Sequence, residues 1–92
     1  MKLLFKKGQY YNGNVALMAE DAETGEPYAN ATVNVKKLPK NMAALDTNNW
    51  PDVVEVLMKE RIITSEKLGS LESGFCEYPV YKLNLKGLQL AE

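Results

Sequence analysis

Residue types that commonly carry chemistry are sparse in this 92-residue chain, which has no histidine and one cysteine. Cys76 stands in Gly74-Phe-Cys-Glu-Tyr78, where the chemistry on offer is thiolate attack. A nucleophilic thiol needs a base or a positive neighbour, whereas the negative charge of Glu77 raises a thiol pKa. The position is therefore read as a small buried hydrophobe. Without histidine there is no Ser-His or Cys-His pair, and a single cysteine cannot build a thiolate zinc site. Asp21 and Glu23 fall in Glu20-Asp-Ala-Glu-Thr-Gly-Glu-Pro27. That segment has neither the spacing of a calcium loop nor the apolar pocket that acid–base work requires. No Gly-rich phosphate loop precedes a helix. The chain is read as non-enzymatic, with no cofactor and no metal.

Recognition chemistry remains. Lys36, Lys37 and Lys40 form a local basic cluster, and Asp46-Thr-Asn-Asn49 sets short polar side chains before Trp50. Lys36, Lys37, Lys40, Asp46, Asn48, Asn49 and Trp50 are the candidate binding residues, since long loops tend to carry function and Trp anchors interfaces. Each has a plainer reading as well: solvated lysines, Asx turns and a helix cap, and a tryptophan packed over a helix start. Tyr10, Tyr11, Tyr28, Tyr78 and Tyr81 offer π faces on which bases stack. However, Lys82 alone is closely interleaved with them and Arg61 is the sole arginine, a poor composition for that task.

The elements that position these residues belong to one domain, residues 1–92, because the chain is too short for two cores. A hydrophobic share of 46% and a charged share of 25% match an ordinary folded chain. Eleven Lys+Arg against twelve Asp+Glu leave a net charge of −1, which supplies no field for duplex binding. The charged start Met1-Lys-Leu-Leu-Phe-Lys-Lys-Gly8 has too short an apolar run for a secretory signal, and no stretch suits a membrane span. The expectation is a cytoplasmic protein without membrane contact.

Along the chain, Asn12-Gly13 between apolar segments predicts a type I′ hairpin. Its first arm is Lys2 to Tyr11, kinked at Gly8, and its second is Asn14 to Glu20, apolar on both faces and so central. After the acidic turn, Tyr28 to Val35 alternates Ala29, Ala31, Val33 and Val35 against polar residues, as a half-buried strand does. Lys36 to Asn49 has no period and reads as a long connection. Asp46-Thr-Asn-Asn-Trp-Pro-Asp52 offers capping oxygens and a first-turn proline, predicting a helix from near Pro51 to about Arg61 with Val53, Val54, Leu57 and Met58 as its apolar stripe. Thr64 to Gly74 reads as loop, and Phe75 to Leu85 as a strand with a bulge near Pro79, where its apolar parity switches. The sum is an α+β fold: an antiparallel sheet of about four strands with one helix packed on a face.

Several strings, taken in order, resemble a known family: Tyr11-Asn-Gly13, Gly25-Glu-Pro-Tyr-Ala29, Thr32-Val-Asn-Val35, Asp46-Thr-Asn-Asn49 and Ser73-Gly-Phe-Cys-Glu-Tyr-Pro-Val80. The chain resembles a domain-of-unknown-function family of small proteins carried by bacterial conjugative elements, plasmids and phages. The resemblance implies a genetic setting and no reaction. The expected function is a non-catalytic protein-binding accessory module of a mobile genetic element, with a host or element-encoded protein as partner. An inhibitor of a host defence component such as a CRISPR nuclease is one concrete instance. The alternative is a small nucleic-acid-associated regulator using the local basic patch, with weak nucleic-acid binding. Oligomeric state is not legible in the sequence.

Overall fold

In the computed structural model, which describes residues 2–90, β1 (Leu3–Gln9) and β2 (Val15–Asp21) pair antiparallel in unbroken register from Leu3↔Asp21 to Gln9↔Val15. Gly8 pairs with Ala16 within that ladder, so the expected kink is absent. The connecting turn also departs from expectation. Gly13 has φ +89°, but Asn12 is not among the described non-glycine residues with positive φ, and type I′ needs both. Gly13 N–H donates to Tyr10 C=O at 2.9 Å, and Tyr10 N–H to Asn14 C=O at 2.9 Å. This is a three-residue loop whose last residue alone is left-handed. Asn12 contributes its side chain, Oδ1 accepting from Asn14 N–H at 3.1 Å. Gly13→Val forces a β-branched residue into that φ and should cost about 1–3 kcal/mol, read as a lowered denaturant midpoint.

Asp21 closes the acidic turn. Its N–H donates to Glu26 C=O, its C=O accepts from Gly25 N–H, and its Oδ1 accepts from Glu23 N–H. β3 (Pro27–Asn30) then returns along β2, with a register irregularity at Ala19/Glu20. Sequence alternation predicts one strand through Val35, but the chain turns a corner at Ala31. That fully buried residue donates its N–H to Leu17 C=O at 2.8 Å and accepts on its C=O from Asp46 N–H at 2.9 Å. One residue thus joins two sheets. Beyond it, β4 (Thr32–Val33) pairs with β5 (Met42–Leu45). Parity inverts there: Ala31 and Thr32 are both buried, and Thr32 Oγ1 accepts from Leu17 N–H at 3.1 Å in place of a ladder carbonyl. β5 is itself a correction, since a connection was expected across residues 36–49.

α1 (Val53–Lys59) starts later and ends earlier than its sequence pattern suggests. Val53 and Leu57 are buried and Val54 and Val56 pack beside them, whereas Met58, assigned to the stripe by its spacing, is exposed. The N-terminus has no side-chain cap. The C-terminus closes on Arg61, at φ +58°. Ile62 N–H donates to Leu57 C=O and Arg61 N–H to Met58 C=O, the two bonds of a Schellman closure, with apolar residues at both ends of the longer one. Arg61 is exposed, so Arg61→Gly relieves the left-handed strain without loss of packing. It should stabilise by about 0.5–1 kcal/mol in chemical denaturation.

β6 (Gly69–Ser73) occupies the segment expected to be loop and pairs with β7 (Cys76–Lys82) in constant register from Gly69↔Val80 to Ser73↔Cys76. There is no bulge at Pro79, which sits opposite Ser70. Val80 and Tyr81 are both buried, Val80 between β5 and β6 and Tyr81 beside β5. Finally β8 (Gln89–Leu90) lies parallel to β1 at Lys6–Lys7. The sheet orders are β3-β2-β1-β8 and β4-β5-β7-β6. The architecture is α+β, as expected, but with two sheets instead of one. The core lies between them, drawing Phe5, Val15, Leu17 and Ala19 from the first and Ala43, Leu45, Tyr81 and Leu83 from the second. Trp50, Val53, Leu57, Ile62 and Ile63 fill the remaining volume. Among the described residues, no helix is long and apolar enough to cross a membrane.

Candidate functional site

β5 divides the candidate binding residues into two groups. Lys36, Lys37 and Lys40 precede it, and Asp46, Asn48, Asn49 and Trp50 follow its four residues, a span of about 13 Å in extended chain. The second group is largely architectural. Asp46 is buried, its Oδ1 and Oδ2 accepting from the Asn49 backbone N–H and side-chain Nδ2 at 3.2 and 3.0 Å. Trp50 N–H donates to Asp46 C=O at 2.9 Å. Asp46 therefore closes the turn before Trp50 and does not cap α1. The Trp50 ring is buried, stacked on Phe5 with centroids 6.3 Å apart, and Tyr28 meets it edge-on at 5.4 Å. Trp50 is a core residue. Of this group, Asn48 and Asn49 are exposed to solvent.

Two of the first group, Lys37 and Lys40, border a cleft of about 800 Å³. One wall is the β1–β2 hairpin end, the other the 37–41 segment, with Leu85 and Leu90 completing the lining. Lys37 and Lys40 line it together with Lys7, while Lys36 and Lys82 do not. The walls are held together by Asn14, a buried polar residue with its side-chain groups engaged. Its Nδ2 donates to Asn34 Oδ1 at 2.9 Å and to Lys36 C=O at 2.7 Å, and its Oδ1 accepts from Leu38 N–H at 2.9 Å. Sequence reading missed Asn14, since an Asn beside an Asn-Gly turn looks like one more turn residue. The tyrosines form no common platform. Tyr10 hydroxyl reaches Thr32 at 3.2 Å, Tyr28 lies on Trp50, Tyr81 is buried, and Tyr11 projects from the hairpin loop.

The second feature that sequence reading missed is a projecting ribbon. β5 pairs with β7 only over Val80–Lys82, so beyond Val80 the β6–β7 pair extends as two strands alone. Gly74 and Phe75 form its tip. Gly74 has φ +61° and Phe75 is not among the described residues with positive φ, the pattern of a II′ turn. Phe75 is fully exposed. Next to the turn-flanking Ser73↔Cys76 pair stands Glu72↔Glu77. After a two-residue turn this second pair is the non-hydrogen-bonded kind, which brings side chains closest, and like charges there are destabilising. The opposite face carries Leu71 against Tyr78, with Cys76 half-buried and not fully buried as its sequence context suggests. The Tyr78 phenol is raised above its ordinary 10.0, first by its hydrogen bond with the Cys76 thiol, then by desolvation and by the nearby Cys76 and Asp46 charges. A Gly-X pair between alternating flanks is a II′ hairpin signal. Here the polar Gly-Ser-Leu-Glu-Ser arm conceals it.

Among the described residues, no group of three or more His, Cys, Asp or Glu side chains gathers in a way that could hold a metal ion. A family model described as a domain of unknown function (DUF4313) matches residues 4–92, and the chain belongs to that family. No curated protein and no solved structure matches it.

Proposed function

We propose that this DUF4313 chain is a non-catalytic protein-binding module that engages its partner through the tip of the β6–β7 ribbon. The observation that carries this reading is the combination of a fully exposed Phe75 at the tip with Glu72 paired against Glu77 behind it. A sequence that sets an aromatic in water and two carboxylates side by side works against its own stability, and such local conflicts concentrate at functional sites. The partner chemistry that resolves both is an apolar pocket with lysine or arginine at its rim. The biological setting in this proposal is the one the sequence resemblance implies: a cytoplasmic accessory protein of a bacterial mobile element, acting on a host or element-encoded protein. A defence component such as a CRISPR nuclease is the concrete instance.

Phe75→Ser should reduce partner capture at least tenfold while leaving the unfolding midpoint unchanged, because the ring contributes nothing to the core. Charge reversal by Glu77→Lys should also weaken capture, while leaving the fold as stable or slightly more so. The comparison is Lys37→Glu, in the segment that the sequence pattern assigns to binding. Capture that is lost in Lys37→Glu and retained in both ribbon variants would move the interface to the 36–41 segment and end this proposal. The alternative, a nucleic-acid-associated regulator, has in its favour that Lys37 and Lys40 share a cleft with Lys7, but no tyrosine platform accompanies them.

A further inference from the structure

The cleft between the β1–β2 hairpin and the 37–41 segment lies apart from the ribbon tip, and its chemistry points in another direction. Its charged lining among the described residues consists of Lys7, Lys37 and Lys40, with no carboxylate, and its apolar lining is aliphatic: Val15, Leu38, Pro39, Leu85 and Leu90. Two of the ammonium groups are held in place. Lys7 Nζ donates to Leu85 C=O at 3.2 Å, and Lys37 Nζ donates to Asn12 C=O. An ammonium has three donors, so each keeps donors for a ligand after its tether is made. Lys6, the neighbour of Lys7, is neutralised by Glu20 at 3.2 Å; none of the three cleft lysines has an ion-pair partner among the described residues. The wall that carries Lys37 and Lys40 is tied to the hairpin end by the Asn14 bonds, so the three lysines line a pre-formed space.

We infer that this cleft binds a small amphipathic anion, a carboxylate or phosphate head on an aliphatic body. Charge complementarity selects the head, since an anion is the group favoured by a lining with three lysines and, among the described residues, no carboxylate. The aliphatic lining selects the body, and about 800 Å³ is within the range of small-molecule pockets. A nucleic-acid strand fits less well: a strand-tracking groove interleaves its cations with aromatic faces on which bases stack, and among the described residues no aromatic lines this cleft.

The test titrates the isotope-labelled full chain with octanoate and octyl phosphate, following backbone amide shifts by NMR. Inorganic phosphate, octanol and a single-stranded oligonucleotide serve as the other arms. Both octyl anions should shift the amides of Gly8, Gln9, Gly13, Val15 and Asn41 saturably. Decyl homologues should bind about two- to fourfold tighter per added methylene, and Lys37→Gln or Lys40→Gln should each weaken binding about five- to tenfold. Lys37 and Lys40 are exposed, so neither variant threatens the fold, and Lys59→Gln, on α1, should leave affinity unchanged. Equal binding by octanol would show that charge is not read. Inorganic phosphate binding as tightly as octyl phosphate would show that the aliphatic lining is not read. An oligonucleotide shifting the same amides more tightly than the octyl anions would assign the cleft to nucleic acid. Any of these results, or shifts confined to residues outside the cleft, overturns the inference.

Discussion

Trp50→Ala is expected to remove about 3–5 kcal/mol of stability, the largest effect of any single substitution considered for this chain. The indole is 8% exposed, stacks on Phe5 and receives the edge of Tyr28, and belongs to the same packed cluster as Val53 and Leu57. Truncation removes its transfer free energy and leaves a cavity between the sheets and the start of α1, which the backbone cannot close because Asp46 and Asn49 brace the preceding turn. A chain of this length has a total stability of about 5–15 kcal/mol, with small cores toward the lower end, so the variant should be partly unfolded at 37 °C. Urea titrations of parent, Trp50→Ala and Trp50→Phe check this. The order of midpoints should be parent, phenylalanine, alanine. Coincident curves for parent and Trp50→Ala would show that the ring does not pack as described and would return Trp50 to the list of exposed contact residues.

The second large effect falls on Asn14. Asn14→Leu keeps the volume but leaves Leu38 N–H, Lys36 C=O and Asn34 Oδ1 without their partner. Each such group costs about 1–3 kcal/mol when water cannot reach it. These groups are partly buried, so the sum should fall near 3 kcal/mol. Asn14→Asp makes a sharper version of the same test. A carboxylate cannot donate to the two oxygens that Asn14 Nδ2 serves, and a buried carboxyl facing oxygens has its folded pKa raised above the unfolded value of about 3.9. The folded state then binds the proton more tightly, so the variant's stability relative to the parent is best below about pH 4 and declines as pH rises through the folded pKa. Denaturant midpoints for both proteins at pH 4 and pH 7 measure the difference. A gap that narrows toward pH 7 would contradict the bonding assigned to Asn14.

The contrast between what was and was not legible follows from how each element advertises itself. β2 is central, and its doubly apolar pattern says so; the first two hairpins carry turn residues with few alternative uses. α1 is announced by Val53 and Leu57, although Met58 shares their spacing and faces solvent. β5 is invisible for a physical reason: Met42-Ala-Ala-Leu45 is too short to show a period, and a strand buried on both faces has no alternation to show. β6 has the opposite problem, being an exposed edge of mostly small and polar residues. The corner at Ala31 cannot be read from local pattern because it depends on two carbonyl and amide partners, Leu17 and Asp46, distant in sequence. Of the candidate residues, Lys37 and Lys40 line the cleft and Lys36 does not. Asp46 and Trp50 are the types that both a binding loop and a braced turn require, and only packing distinguishes the two.

The parallel pairing of β8 with β1 has a bearing on how the chain matures on the ribosome. Lys6 and Lys7 are synthesised well before Gln89 and Leu90, their ladder partners. At about 5–20 residues per second of synthesis, β1 and β2 can close their hairpin many seconds before β8 exists. During that interval one side of β1 is an unsatisfied template, open to pairing with a neighbouring nascent chain. Crowded translation, as on a heavily loaded message, should therefore favour swapped or aggregated products, and slower initiation should favour monomeric product. Lys7 on that strand, unlike Lys6, which Glu20 neutralises, provides like-charge repulsion that discourages two such edges from meeting.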